Sequence, residues 1–254
     1  MNNNFQTQTI ENFKEKNGYD IDGVWYPRVT KIVDIKAKPA LYRFYAGVKN
    51  FAEGESVKNK SASEGTAVHE AVEAILLGRE PKVDSKIQPA IKSFQEFINQ
   101  KNIHVSEEFV EKRVVNHNHR YAGTVDAVAF IDGKLGVLDI KTSQAIYRDY
   151  NLQTSAYMDA LKDEFTGLET RWILKIDQIQ ICQFCGARRR LKGGIEKIKL
   201  NGRFPCLEHA WNEMRGDIEF QEFPHWQNDF QAFLGAKKLW EWENESSLKK
   251  IGYL

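Results

Sequence analysis

The dipeptide Asp132-Gly133 lies between two apolar runs, Gly123 to Ile131 and Lys134 to Thr142, and constrains more of the fold than any other feature of the chain. Asp-Gly favours the type I′ two-residue hairpin, whose central residues both take positive φ. With that turn, Ile131 faces Lys134 and each cross-strand pair sums to 265, which predicts Asp126 opposite Asp139 and Thr124 opposite Lys141. Side chains alternate along a strand, so Val128, Phe130, Leu135 and Val137 share the face of the two aspartates. Directly opposed like charges repel at a Cβ separation of roughly 4.5–5.5 Å. A cation between the carboxylates would relieve that repulsion, and hard oxygen ligands held close suit Mg²⁺ or Mn²⁺. Lys141, on the same face, is then placed to touch a metal-bound water or a phosphate oxygen. The competing reading of Asp139 and Lys141 is a structural ion pair at a strand end; the second aspartate favours the metal.

At 254 residues the chain fits one large α/β domain, or a domain with an insertion. Net charge is +1, so nucleic-acid contacts must come from local patches and not from a global basic field. Three cysteines, an odd number, argue against a disulfide scaffold. No run of 18 apolar residues occurs and Met1-Asn2-Asn3-Asn4 opens no signal peptide, so a reducing cytoplasm and no membrane contact are expected.

Residues 1–20 are polar and Asn-rich and predict a loosely attached arm before a domain over 21–254. Thr30 is a candidate cap for a helix starting near Lys31, and Pro39 to Val48 predicts a short helix. Phe51 to Ser63 is rich in Gly, Ser, Lys and Glu and predicts a mobile connection. Glu64 to Leu77 carries Val68, Ala71, Val72, Ile75 and Leu76 at helical spacing, with Gly78 as the stop. His69 falls at the edge of that stripe, Glu73 just beyond it, and Glu70 points away. Asp84 to Asn102 predicts a second amphipathic helix and Glu108 to Val115 a strand, closed by Asn116-His117-Asn118-His119. Tyr150 to Phe165 is helical, with Gln153, Tyr157 and Leu161 on one stripe. Arg171 to Ile181 is a strand with Ile218 to Phe223 as its hairpin partner, and Gln227 to Trp242 is a closing helix whose aromatics are core.

This order, helix, three antiparallel strands, helix, resembles the PD-(D/E)xK nuclease superfamily, and within it the RecB-like exonucleases, including mitochondrial genome maintenance exonucleases and phage relatives. The matching residues are Gly65 to Glu70, Glu111, Tyr121 to Asp126, Leu138 to Thr142, and Gln153 with Tyr157. The residue before Asp126 is valine and not proline, as is common in that branch. The resemblance implies a restriction-endonuclease-like fold, a mixed central sheet flanked by helices. It implies that Asp126, Asp139, the Ile140 carbonyl and His69 bind a catalytic Mg²⁺ or Mn²⁺. Lys141 would orient or deprotonate the attacking water, Gln153 and Tyr157 would support it and hold DNA, and Glu111 would occupy a family acidic position. Two bland alternatives stand beside this. His69 would otherwise be a core histidine, against which its Gly-x3-His setting favours the ligand, and Gln153 with Tyr157 could equally be a packed i, i+4 pair.

Cys182, Cys185, Cys206 and His209 form two short knuckles twenty residues apart that use every cysteine, the spacing of a four-coordinate structural Zn²⁺ site. Free buried thiols are the alternative. RecB-like nucleases often hold an iron–sulfur cluster on four thiolates; this set is local and ends in His, which favours zinc. The expected insertion spans about 177–216. Within it Arg188, Arg189, Arg190, Lys192, Lys197, Lys199 and Arg203 face a single Glu196, a candidate phosphate-binding patch or simply a solvated face.

The expected activity is metal-dependent hydrolysis of DNA, most simply by an exonuclease on single strands in replication, recombination or repair, encoded by a bacterium, archaeon or phage. A structure- or sequence-selective endonuclease and a silent DNA-binding module are the rivals. Between Pro39 and Ser63, Tyr42, Phe44, Tyr45 and Phe51 interleave with Arg43, Lys49, Lys58 and Lys60, a pattern suited to unstacked bases or to plain helix packing.

Overall fold

The computed structural model describes residues 10–202 and 206–254. Its first half contains α1 (Ile10–Asn17), β1 (Gly18–Ile21), β2 (Val24–Pro27), α2 (Val29–Val33), α3 (Pro39–Gly47), α4 (Phe51–Leu76) and α5 (Gln88–Gln100). There follow β3 (Ile103–His104), β4 (Val110–Asn116), β5 (Tyr121–Ile131), β6 (Lys134–Lys141), α6 (Tyr150–Leu161) and β7 (Leu168–Ile181). The chain closes with β8 (Arg188–Lys192), β9 (Ile195–Lys199), β10 (Arg215–Glu222), α7 (Gln227–Glu243) and α8 (Glu245–Lys250).

Asp132 and Gly133 take φ of 52° and 86°, the type I′ geometry that Asp-Gly favours. Five pairs follow the expected register, from Ile131↔Lys134 to Ala127↔Leu138. There the ladder stops. The Asp126 carboxylate accepts the Ile140 N–H at 2.5 Å, filling the place of a strand carbonyl. Asp126 therefore does not face Asp139 as a ladder partner, nor Thr124 Lys141. On its other edge β5 pairs with β4, Val125↔Lys112 and Thr124↔Arg113. An ionised carboxylate is a stronger acceptor than an amide carbonyl, so it can terminate a ladder without leaving a buried N–H unpaired.

After β6 the chain crosses through α6 and returns as β7, parallel to β6 from Leu135↔Leu168 to Lys141↔Lys175. β10 lies antiparallel on β7 from Arg215↔Ile179 to Glu222↔Trp172, the expected hairpin partner. The result is a mixed α/β fold with a mixed central sheet, β3 and β4 sharing one edge of β5, β10 and β8 both pairing with β7, and β9 lying beyond β8. On one face Val128, Leu135 and Val137 meet Tyr157, Met158 and Leu161 of α6 and Phe230 and Phe233 of α7. On the other, Ala127, Ala129, Leu138, Ile140, Trp172 and Leu174 meet Val68, Ala71 and Val72 of α4 and Ile91 and Phe94 of α5. Phe130 departs from the expected buried face: it stands at the turn end of β5, half exposed and outside both clusters. The fully buried Arg171 ties β7 to α7 through Asp229 and to the Asn151 carbonyl of α6 at 3.1 Å.

Several local expectations are corrected. Residues 51–63 are the first half of a 26-residue helix, not a mobile connection. Asn50 caps it by accepting the Glu53 N–H at 2.9 Å, and Glu53 reaches back to the Lys49 N–H at 2.8 Å, a reciprocal cap. Gly78, at φ 67°, ends it as expected. The N-terminal arm is docked from residue 10 onward: Phe13 is buried against Trp25, which stacks on Trp240. Residues 1–9 of that arm lie outside the described residues. Thr30 caps nothing, because α2 begins at Val29 with Arg28 before it. The second amphipathic helix starts at Gln88, where Pro89 sits in the first turn, and not at Asp84. Among the described residues no helix is long and apolar enough to cross a membrane.

Candidate functional site

Asp139 on β6 is buried and sits at the centre of a polar cluster. Lys141 Nζ lies 2.8 Å from its Oδ1 and 2.7 Å from its Oδ2. Gln153, one turn into α6, donates Nε2–H to the same Oδ1 at 3.1 Å and to the Tyr157 hydroxyl at 3.0 Å. Despite the nearby ammonium, Asp139 Oδ2 has no aligned hydrogen-bond donor. Lys141 also lies over the Tyr150 ring at 5.2 Å. The Tyr157 ring fills the space beside Gly123, where an added Cβ would fall 2.6 Å from it. Gln153 and Tyr157 thus support the Asp139–Lys141 pair from the α6 side.

Burial pushes the Asp139 carboxyl up to about 6, with Asp126 adding repulsion and Lys141 opposing. Burial raises Asp126 as well, against Lys141 and the Ile140 N–H. Lys141 is raised: burial favours the neutral amine, but the two aspartates outweigh it. His69 lies with Nδ1 4.0 Å from Asp126 Oδ1. Burial and then Lys141 drive its imidazole down to about 4, so that contact is not an ion pair. A neutral imidazole is the form that can ligate a metal.

Glu111 falls where the β4–β5 register would set it opposite Asp126, between the pairs Val110↔Ala127 and Lys112↔Val125. Its φ of 49° is in the left-handed region, where non-glycine residues are uncommon. Burial, then Asp126, then Glu73 raise its carboxyl to about 7. Asp139 and Asp126 thus flank the Lys141 ammonium, with His69 beside Asp126, and Glu111 and Glu73 extend the acidic group on the far side of Asp126. The structure does not draw these ligands into one tight shell: among the described residues the one group with all metal-ligating atoms within 4.8 Å of one another is Cys182, Cys185, Cys206 and His209.

A cleft of about 440 Å³ opens beside this cluster, lined by Gly65, Thr66, His69, Glu73, Glu111 and Thr142. Gly65 lets α4 close on the end of β6: an added Cβ would lie 2.8 Å from Thr142 Oγ1. Gly65→Val is therefore expected to push α4 off β6, widening the His69–Asp126 gap and cutting any activity of the cleft by ~10-fold or more, since small misplacements at a reacting centre are costly. Activity equal to wild type in a folded Gly65→Val protein would show that this approach is irrelevant.

The four residues of the cysteine insertion gather as their spacing predicts. Sγ of Cys206 lies 3.5 Å from that of Cys182 and 3.4 Å from that of Cys185, and His209 Nδ1 lies 3.1 Å from Cys206 Sγ. Tetrahedral zinc with bonds of about 2.3 Å sets sulfur atoms ~3.8 Å apart. The cluster could hold a metal ion, and its donors are those of structural zinc sites. Burial followed by the neighbouring Cys185 and Cys182 pushes the Cys206 thiol up to about 12, repulsion that a bound cation would remove. Gly186, at φ 69°, makes the turn that brings Cys185 back to Cys182. The insertion itself is narrower than expected, because 177–181 belongs to β7 and 215–216 to β10.

The three consecutive arginines of the basic run are already paired with acidic groups. Arg188 pairs with Asp217 at 2.6 Å, Arg189 with Glu196 at 3.2 Å, and Arg190 with Asp177. Lys192 donates to the Thr142 carbonyl. Arg203 lies outside the described residues. Tyr45 bonds to Glu55 and stacks on Phe51, and Lys49 is exposed on the same hairpin; neither lines the cleft. What sequence reasoning passed over is Tyr147, Tyr150 and Lys36, which line a neighbouring groove. The aromatic pair three residues apart after Lys141 was the available signal. Comparison with protein-family models finds no match to this chain, and comparison with curated proteins finds none either.

Proposed function

We propose that the chain is a metal-dependent deoxyribonuclease with a restriction-endonuclease-like core of the PD-(D/E)xK type, acting on single-stranded DNA from an end. The observation that carries this reading is the buried Asp139–Lys141 pair braced by Gln153, with Asp126 and His69 beside it. A structural ion pair has no need of Asp126 beside it, nor of Glu111 beside Asp126, at the cost of raised carboxyl pKa values for both.

Mg²⁺ or Mn²⁺, held by Asp126, Asp139, the Ile140 carbonyl and His69, would supply Lewis acidity and a bound water of lowered pKa. Lys141 donates to a phosphate oxygen and stabilises the charge that develops there. Lys141 also orients or deprotonates the attacking water, and Glu111, whose carboxyl burial and Asp126 raise to about 7, stands beside the site as a further group able to exchange a proton. Gln153 fixes Asp139, and Tyr157 fixes Gln153. The Cys182, Cys185, Cys206 and His209 set holds a structural Zn²⁺ in this reading, since four protein ligands leave no open position.

End-labelled linear single strands, circular single strands and blunt duplex, each with Mg²⁺ or Mn²⁺, test the proposal. Linear single strands are expected to be degraded at least ~10-fold faster than duplex, with circles spared. Rapid cutting of circles would make the protein an endonuclease, and no cutting of any substrate would leave a binding module.

A further inference from the structure

A second opening, of about 630 Å³, adjoins the acidic cleft and shares Ser61, Ala62 and Thr142 with it. Its character is opposite. Lys58 of α4 and Lys192 and Lys197 of the β8–β9 hairpin line it together with Phe44, Tyr147 and Tyr150. Its one acidic lining residue, Asp149, is answered by Lys36 at 3.7 Å. Phe44 lies under Lys197 at 5.5 Å, so a cation and a ring face the same space.

One wall of this groove belongs wholly to the metal-ligand insertion, and the insertion is locked to the site. Arg190 donates to the Thr142 carbonyl at 3.2 Å and Lys192 donates to the same oxygen, one residue after Lys141. At the hairpin tip the Gly193 N–H donates to Glu64 of α4 at 3.1 Å. Gly193 is pressed so close that an added Cβ would fall 2.6 Å from the Val57 carbonyl oxygen. The Cys and His ligands stand at the base of this hairpin, where Cys182 bridges to Trp211.

We propose that this groove is the track of one DNA strand, and that occupancy of the Cys182–Cys185–Cys206–His209 site sets how tightly the strand is held by fixing the hairpin wall. The proposal rests on the nuclease reading above and names where its substrate lies. Phosphates suit the lysines, and the rings suit bases that are free to unstack, which a duplex does not offer. A strand in the groove would pass Thr142, which both openings share, and Tyr150, over whose ring Lys141 lies at 5.2 Å.

The test uses the Asp139→Asn protein, so that nothing is cut, and anisotropy of a labelled oligothymidylate over a range of salt without divalent cations. Phe44→Ala and Tyr147→Ala are each expected to weaken binding about 5- to 100-fold. Lys58→Glu and Lys197→Glu should weaken it and flatten the salt slope by ~0.7 for each phosphate contact removed. Lys92→Glu, on the exposed side of α5, should change little. An abasic strand of equal length should bind more weakly and ignore Phe44→Ala. Cys206→Ser, freed of metal, should lose affinity as Lys197→Glu does; if it fails to fold, Lys197→Glu still decides the groove. Groove variants that bind like Lys92→Glu, or an abasic strand that binds as well as the thymidylate, would overturn the track. Strand binding in the groove by a wild-type protein that cuts nothing would overturn the nuclease reading and leave the track standing.

Discussion

Asp139→Asn is expected to lower the rate of phosphodiester cleavage by about 1,000-fold or more while single-strand affinity stays within about three-fold. The substitution keeps shape and the contact with Gln153, but removes the charge that a divalent cation and Lys141 both need. Affinity survives because phosphate contacts elsewhere supply most of it. Lys141→Ala is expected to cost about as much in rate and also to destabilise the fold. It leaves Asp139 and Asp126 buried without their counter-charge, a loss of about 3–5 kcal/mol. The sign of its pH dependence follows from the raised carboxyl of Asp139, at about 6 with lysine present and higher without it. Below that pH the proton neutralises the orphaned aspartate and the penalty is relieved; above it the penalty is full. Thermal unfolding of Lys141→Ala against wild type at pH 5 and pH 8 measures this, and an equal deficit at both would contradict it. Cleavage by Asp139→Asn at the wild-type rate would remove the catalytic reading altogether.

The second large effect is on the insertion. Purified protein is expected to carry about one equivalent of zinc, and Cys182→Ser or Cys206→Ser to lose it. Zinc on such ligands contributes apparent binding energies of about 10–16 kcal/mol in isolated peptides, so the insertion is expected to lose its fold with the metal. Cys182 is the more damaging position because its side chain is buried, whereas that of Cys206 is only partly so. Proteolysis within 182–214 should accelerate in the variants while the central sheet, held by two separate apolar faces, stays intact. An iron–sulfur absorbance band, or a protein free of metal by mass spectrometry, would refute the assignment.

The sequence by itself determined what depends on near neighbours. Asp132-Gly133 sets its turn through backbone sterics alone, so five strand pairs follow from two residues. The stripe from Val68 to Leu76 and the stop at Gly78 come from the helical repeat. Within each Cys and His knuckle the three-residue spacing leaves the two ligands little freedom, and the four gather as the spacing predicts. Tertiary structure decided the rest, because it turns on groups far apart in the chain. The register ends at Ala127 since the Asp126 carboxylate, and not a backbone carbonyl, takes the Ile140 N–H. Residues 51–63 resemble a linker in composition, yet Gly54 is small so that Tyr45 can pack on it. Gly65, likewise, is small to admit Thr142. Arg188, Arg189 and Arg190 resemble a free basic patch until Asp217, Glu196 and Asp177 are folded against them. A charge run in sequence shows its sign but not its partners, and only the packed sheet supplies those.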